Sequence, residues 1–229
     1  MEPNQAVLVM MFKRPLPGQG KQRLAAGIGK EAAYQLACDL FTISGELLAE
    51  WPGRSIASPA DRKDADWAKQ KLSEHVEILA QGEGNLGERI NLLDQQLRAA
   101  GSQQVLFIGS DAPELSLGLL SQVVQALRQH DIALVPSSDG GVSLMAGRKP
   151  WPALADLPWS TPELGAAIRE RCIQNGLSVA TVSHCDDLDE LVDLRQLLQR
   201  WQDAELTPSQ ERFRQAAKQI LESIDGTDS

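Results

Sequence analysis

The chain has 229 residues, with 22 Lys and Arg against 31 Asp and Glu and a formal net charge of -9. That length accommodates the full core of one α/β domain, and the acidic balance argues against a nucleic-acid track, which needs a broad basic surface. The apolar run 6–12 is too short to span a membrane, and Glu2 before it is the wrong flank for a secretory signal, so a cytoplasmic location is expected. Cys38, Cys172 and Cys185 are widely spaced and form no CxxC pair, which predicts reduced thiols and neither a disulfide framework nor a zinc site.

Ala6-Val7-Leu8-Val9-Met10-Met11-Phe12 reads as a buried first strand. The segment that follows, Lys13 to Leu24, carries Lys13, Arg14, Lys21 and Arg23 around Gly18 and Gly20, a local exception in an acidic chain. Open α/β sheets bind ligands at the carboxyl ends of their strands. A basic glycine loop there, leading into a helix, offers cations and free amides to phosphates. It is not a P-loop, because Lys21 is followed by Gln22, which lacks a hydroxyl for magnesium; nor is it GxGxxG, because the third place is Arg23. A basic solvated turn is the alternative.

Further along, Leu24, Ile28, Ala32, Leu36, Leu40, Ile43 and Leu47 step by three or four and predict one long helix. Strands are expected at 55–58, 75–80, 104–108, 132–135 and 178–182, with a hairpin partner at 142–145 and amphipathic helices between them. Thr207-Pro208-Ser209-Gln210 predicts the start of a separate helix, with Thr as N-cap, Pro in the first turn and Gln closing a capping box. The organisation expected is one domain over 1–204, a helix over 205–224 packed on it or in a dimer contact, and a disordered tail at 225–229.

Several later loops carry polar residues that packing does not require. Asp111 closes Gly109-Ser110-Asp111 after a strand, a position from which a carboxylate can reach a bound cation or cap a turn. Magnesium and manganese take one or two protein carboxylates together with phosphate oxygens, and Asp187 or Asp189 is the expected second ligand. Asp139-Gly140-Gly141 reads as a hairpin turn, and its carboxylate is also placed to act as a base. Asn85 reads as a helix cap or a nucleotide contact, with Arg89 beside it. His184, Cys185 and Asp186 are adjacent on an extended segment, so they point to opposite faces and do not predict zinc.

Together these motifs resemble the glycosyltransferase-like family called radical-SAM/selenodomain-associated transferase 1, of the nucleotide-diphospho-sugar transferase superfamily. The family's K-x-P-x-P-G-x-x-K-T-R-L segment is matched by Lys13, Pro15, Pro17, Gly18, Lys21, Arg23 and Leu24, and its G-x-L-G-E-R element by Gly84 to Arg89. G-S-D-x-P-x-L is matched from Gly109 to Leu115, Asp-Gly-Gly at Asp139 to Gly141, Trp-Ser-Thr at Trp159 to Thr161, and the last D-x-D at Asp187 and Asp189. The first loop is also similar to that of 2-phospho-lactate guanylyltransferase. The resemblance implies a GT-A-like α/β three-layer sandwich with a central mixed, mostly parallel sheet. It also implies a Mg2+- or Mn2+-dependent transferase with a nucleotide-activated donor, either a nucleotide sugar or, alternatively, a nucleoside triphosphate for nucleotidyl transfer to a small acceptor. On this reading Lys13, Gly18, Gly20, Lys21, Arg23, Asn85 and Arg89 meet the nucleotide, Asp111, Asp187 and Asp189 the metal, and Asp139, with Lys21 and Arg23, the reacting groups. Gln22 replaces the family's usual Thr and Val142-Ser143 its aromatic pair, which leaves a non-catalytic nucleotide- or sugar-phosphate-binding protein as a further alternative.

Overall fold

A computed structural model describes residues 6–226. Its centre is a seven-stranded sheet in the order β3-β2-β1-β4-β6-β5-β7, formed by β1 Ala6–Phe12, β2 Ser55–Pro59, β3 Glu77–Ile78, β4 Gln104–Ile108, β5 Ile132–Pro136, β6 Val142–Gly147 and β7 Val179–Thr181. β6 alone runs antiparallel to its neighbours, between β4 and β5, so the sheet is mixed and mostly parallel as expected.

β1 shows why the layers form. Ala6, Leu8, Met10 and Phe12 face one core with Phe41, Leu48 and Trp51, while Val7 and Val9 face a second core with Ile90, Leu93 and Leu97. A strand with apolar side chains on both faces must be covered on both sides. The helices α1 Gln22–Ile28, α2 Lys30–Glu50, α3 Ala65–Lys71, α4 Leu86–Ala99, α5 Leu117–Ala126, α6 Leu164–Gln174 and α7 Leu191–Arg200 flank the sheet, and α8 Pro208–Asp225 ends the described chain.

Three expectations change in detail. The predicted single helix over 24–47 is broken at Gly29, whose φ of 85° no helix continues, so α1 can turn away from α2. The third strand shrinks from 75–80 to two residues, because it lies at the sheet edge and pairs only with β2. The β5–β6 connection is the five-residue loop 137–141 with a register shift at Val135/Pro136, longer than a two-residue hairpin turn.

α8 begins with the Thr207 and Gln210 capping box and lays Phe213 and Ala217 into a third core shared with Leu36 and Leu40 of α2 and with Leu194 and Trp201. Its Asp225 accepts from Arg195 of α7 and is therefore part of the helix, not of a tail; residues 227–229 lie outside the described residues. Cys172 and Cys185 are buried, Cys38 is half-buried, and all three are free thiols. Among the described residues no helix is long and apolar enough to cross a membrane.

Candidate functional site

Lys21 stands at the amino end of α1 with left-handed backbone angles, φ 43° and ψ 40°. Three residues on, Leu24 is fully buried in the third core, and Leu188 of the distant acidic segment enters the same core. The Leu188 amide donates to the Asp111 carbonyl at 2.9 Å, which docks the acidic segment onto the loop after β4. These anchors bring the Lys21 ammonium between two carboxylates. It donates to Asp111 Oδ2 at 2.9 Å and to Asp189 Oδ1 at 2.7 Å, with its own side chain only 14% exposed. Gly109 permits the Asp111 side chain to fold back, since a Cβ there would lie 2.5 Å from Asp111 Oδ1.

The electrostatics follow from this crowding. Burial pulls the Lys21 ammonium's pKa down, but Asp111 and Asp189 outweigh it and leave it above the usual lysine value. Burial, and then Asp111, push the Asp187 carboxyl up to about 8, with Asp189 and Asp139 adding to the repulsion and Lys21 opposing it. One ammonium therefore faces the carboxyl groups of Asp111, Asp189 and Asp187, and Asp139 adds its charge to the repulsion at Asp187. The donor set, hard carboxylate oxygens with negative charge in excess, fits a divalent cation of the magnesium type. Among the described residues no three acidic, histidine or cysteine side chains form a closed cage, and such a cation needs only one or two protein carboxylates once phosphates supply the rest. Asp111 and Asp189, which already converge on the Lys21 ammonium, are the pair that could hold such a cation.

Asp139 lies on the neighbouring loop 137–141. Its Oδ1 accepts from Ser137 Oγ at 2.5 Å and from the Gly141 amide at 2.9 Å, which fixes the carboxylate. Gly140, at φ 84°, sits so close to the 159–163 turn that a Cβ would be 2.0 Å from the Pro162 carbonyl. Arg23 is exposed and pairs with Glu190 at 3.3 Å, and Lys13 is exposed at the loop's start. Gly18 and Gly20 adopt φ of 70° and 71°, which lets the loop reverse between Lys13 and Lys21.

Two sequence-predicted contacts are already used by the fold. Both ends of the Asn85 amide are taken, Oδ1 accepting from the Glu88 amide in a capping box and Nδ2 donating to the Ala155 carbonyl. Arg89 donates to the Gly84 carbonyl and to Gln81, so it holds the 81–85 segment. These contacts give both residues structural roles, while the second Asn85 Nδ2 hydrogen and one terminal nitrogen of Arg89 have no hydrogen-bond partner among the described residues. Arg14, which the family motif does not include, lies over the Trp67 ring beside Asp64. Ser143 is buried and donates to the Cys185 carbonyl, and Val142 packs in the second core.

Sequence reading missed one link between the loops. The Ser138 amide donates to Asp186 Oδ1 at 2.8 Å, and His184 Nε2 lies 2.9 Å from both that oxygen and Ser138 Oγ. Burial raises the Asp186 pKa, but the Ser138 amide and hydroxyl, with His184 and Arg200, together outweigh it and leave it below the usual carboxylate range. The signal was the alternation of His184 and Asp186 about Cys185, which places the two polar side chains on one face and the thiol on the other.

No curated protein matches the sequence. A provisionally assigned nucleotide-diphospho-sugar transferase from Desulfovibrio desulfuricans G20 has a similar structure, with a TM-score of 0.85 and 21% identity over 94% of this chain and 98% of its own. A nucleotidyl transferase from Methanothermobacter thermautotroptrophicus gives 0.55 at 16% identity, over 85% and 96% of the two chains. A 4-diphosphocytidyl-2C-methyl-D-erythritol synthase from Anaerococcus prevotii DSM 20548 gives 0.52 at 12% identity, over 84% and 95%. These likenesses establish the nucleotide-diphospho-sugar transferase fold. The sequence model of a family described as uncharacterized proteins conserved in bacteria, DUF2064, matches residues 32–161, more than half the chain, and this chain belongs to that family.

Proposed function

We propose that this chain is a divalent-cation-dependent transferase that uses a nucleotide-activated donor, a nucleoside diphosphate sugar in the first instance. The observation that carries the reading is the meeting of Lys21, Asp111 and Asp189 where loops after β1 and β4 converge, with the fixed carboxylate of Asp139 in the adjoining loop. Asp111 and Asp189 would hold Mg2+ or Mn2+, and Asp187 beside them keeps its proton up to about pH 8 while the pocket holds no metal. The bound cation would offset negative charge developing on the departing phosphate. Arg23, exposed and tied only to Glu190 among the described residues, is free to turn toward phosphates, and Lys21 carries a second positive charge to the same place. Asp139 keeps Oδ2 without a hydrogen-bond partner among the described residues, so that oxygen is available to take a proton from an acceptor hydroxyl.

Nucleotidyl transfer is the second reading, favoured by the two neighbours of that class at TM-scores of 0.55 and 0.52. One fold hosts both reactions. Thermal unfolding with UDP, GDP and CTP, each with and without Mn2+, tests the shared part. A nucleotide present at about 100 times its Kd contributes roughly 2.7 kcal/mol, which is a rise of about 5–10 °C for a chain of this size. The rise is expected only with metal, and no shift with any nucleotide would overturn the reading. Product analysis then separates the classes. Release of nucleoside diphosphate from a sugar nucleotide marks sugar transfer, release of pyrophosphate from a triphosphate marks nucleotidyl transfer, and binding without turnover marks a non-catalytic binding protein.

A further inference from the structure

The Lys21 ammonium occupies the very position between Asp111 and Asp189 that the proposed cation needs. Among the described residues no other cation pairs with either carboxylate. A divalent ion brought onto Asp111 Oδ2 and Asp189 Oδ1 would stand against the ammonium already there, and two cations so close in a partly desolvated pocket repel each other strongly. The backbone is arranged for departure as much as for residence. Lys21 holds left-handed angles that a side chain bearing a Cβ rarely adopts, and its side chain makes no capping bond to α1. Just before it, Gly18 and Gly20 take positive φ, and a Cβ at either would meet nothing within 4 Å, so the loop stands clear of the core. Its anchor is Leu24, one turn into α1, which is fully buried.

We propose that Lys21 is the pocket's resident cation, displaced from Asp111 and Asp189 by the divalent metal and thereby delivered to the phosphates of the donor. The inference rests on the metal-dependent reading above and adds a coupling to it. Without metal, Lys21 neutralises the carboxylates and is unavailable to phosphate. With metal, the same ammonium is released on the side where the anionic donor enters. Metal affinity is then reduced by the fraction of molecules in which Lys21 occupies the pocket, and it recovers when the lysine is removed. Nucleotide and metal must also strengthen each other's binding by equal factors.

Mn2+ alone is the probe, titrated by electron paramagnetic resonance against wild type, Lys21→Met, Lys21→Gln and Asp111→Asn, with circular dichroism to confirm folding. Both lysine variants are expected to bind Mn2+ about tenfold more tightly than wild type, and Asp111→Asn more weakly. Unchanged or weaker binding in the lysine variants, while Asp111→Asn still loses affinity, would overturn the displacement and leave the metal site standing. Mn2+ binding to none of the proteins, or binding indifferent to Asp111→Asn, would overturn the metal site itself. A second measurement needs no variant. Acylation of Lys21 by an amine-reactive ester, followed by mass spectrometry, is expected to accelerate severalfold when saturating Mn2+ is added to the wild-type protein. Equal labelling with and without Mn2+ would refute the release.

Discussion

Lys21 and Asp189 are 168 positions apart in the chain, yet their side chains meet at 2.7 Å. The contact is made by packing: Leu24 and Leu188, each close to one partner, are buried in the same core, and that core also holds α8. The pair should therefore show coupling that depends on both partners. In a double-mutant cycle of Lys21→Met and Asp189→Asn by urea unfolding without metal, a coupling of about 0.5–1.5 kcal/mol is expected for a partly buried pair. Additive effects of the two changes would mean that the contact contributes nothing to stability.

Asp187 sets a pH dependence with a definite sign. Its folded pKa, about 8, lies above the unfolded value of 3.8. Between these values the native state keeps a proton that the unfolded chain has lost, so stability falls as pH rises through this window and levels off above it. Asp187→Asn preserves a neutral side chain of similar shape and removes the titration. Its unfolding free energy is expected to vary less with pH than that of wild type. The wild-type loss from this group between pH 4 and pH 8 amounts to roughly 3–5 kcal/mol. Parallel pH profiles for the two proteins, measured by denaturant unfolding at several pH values, would refute the assignment.

The sheet was legible because its strands are short apolar runs separated by amphipathic helices, and the mixed topology came with the family resemblance. The break at Gly29 was not, because the apolar stripe runs on through it and periodicity does not report φ. Lys21, Asp111 and Asp189 could each be nominated from loop position and residue type. That a lysine nominated for phosphate would sit on the carboxylates nominated for metal is a fact of three-dimensional packing, with no trace in spacing. Asn85 shows the converse. Its sequence context fits a helix cap and a ligand contact equally, and nothing in spacing shows that its amide nitrogen also donates to the Ala155 carbonyl, 70 positions away.

Phe213 tests whether α8 is part of the domain. It is fully buried and meets Trp201 edge to face, with ring centroids 5.9 Å apart. Its environment is made entirely of residues of the same chain, so no second copy is needed to cover it. Phe213→Ala is expected to cost about 3–5 kcal/mol, read by urea unfolding. If the variant were as stable as wild type, the docking of α8 described here would be wrong.

Gly140 connects the candidate base to its surroundings. Its φ of 84° is one that residues with side chains rarely adopt, and a Cβ would be 2.0 Å from the Pro162 carbonyl, a backbone atom that cannot turn aside. The Gly140 carbonyl also accepts from the Gly165 amide at 2.9 Å, so the turn is clamped onto the start of α6. Gly140→Ala must either open this clamp or change the turn, at a cost of about 2–4 kcal/mol. Either adjustment moves Asp139, which is one residue away and is held by the Gly141 amide. If Asp139 is the base, the variant should lose turnover by at least tenfold while still binding nucleotide and Mn2+, because Lys21, Asp111 and Asp189 belong to other loops. The measurement is kcat beside the nucleotide-induced rise in melting temperature. A drop in both to the same extent would mean that the turn supports the whole pocket, and unchanged kcat would remove Asp139 from the reaction.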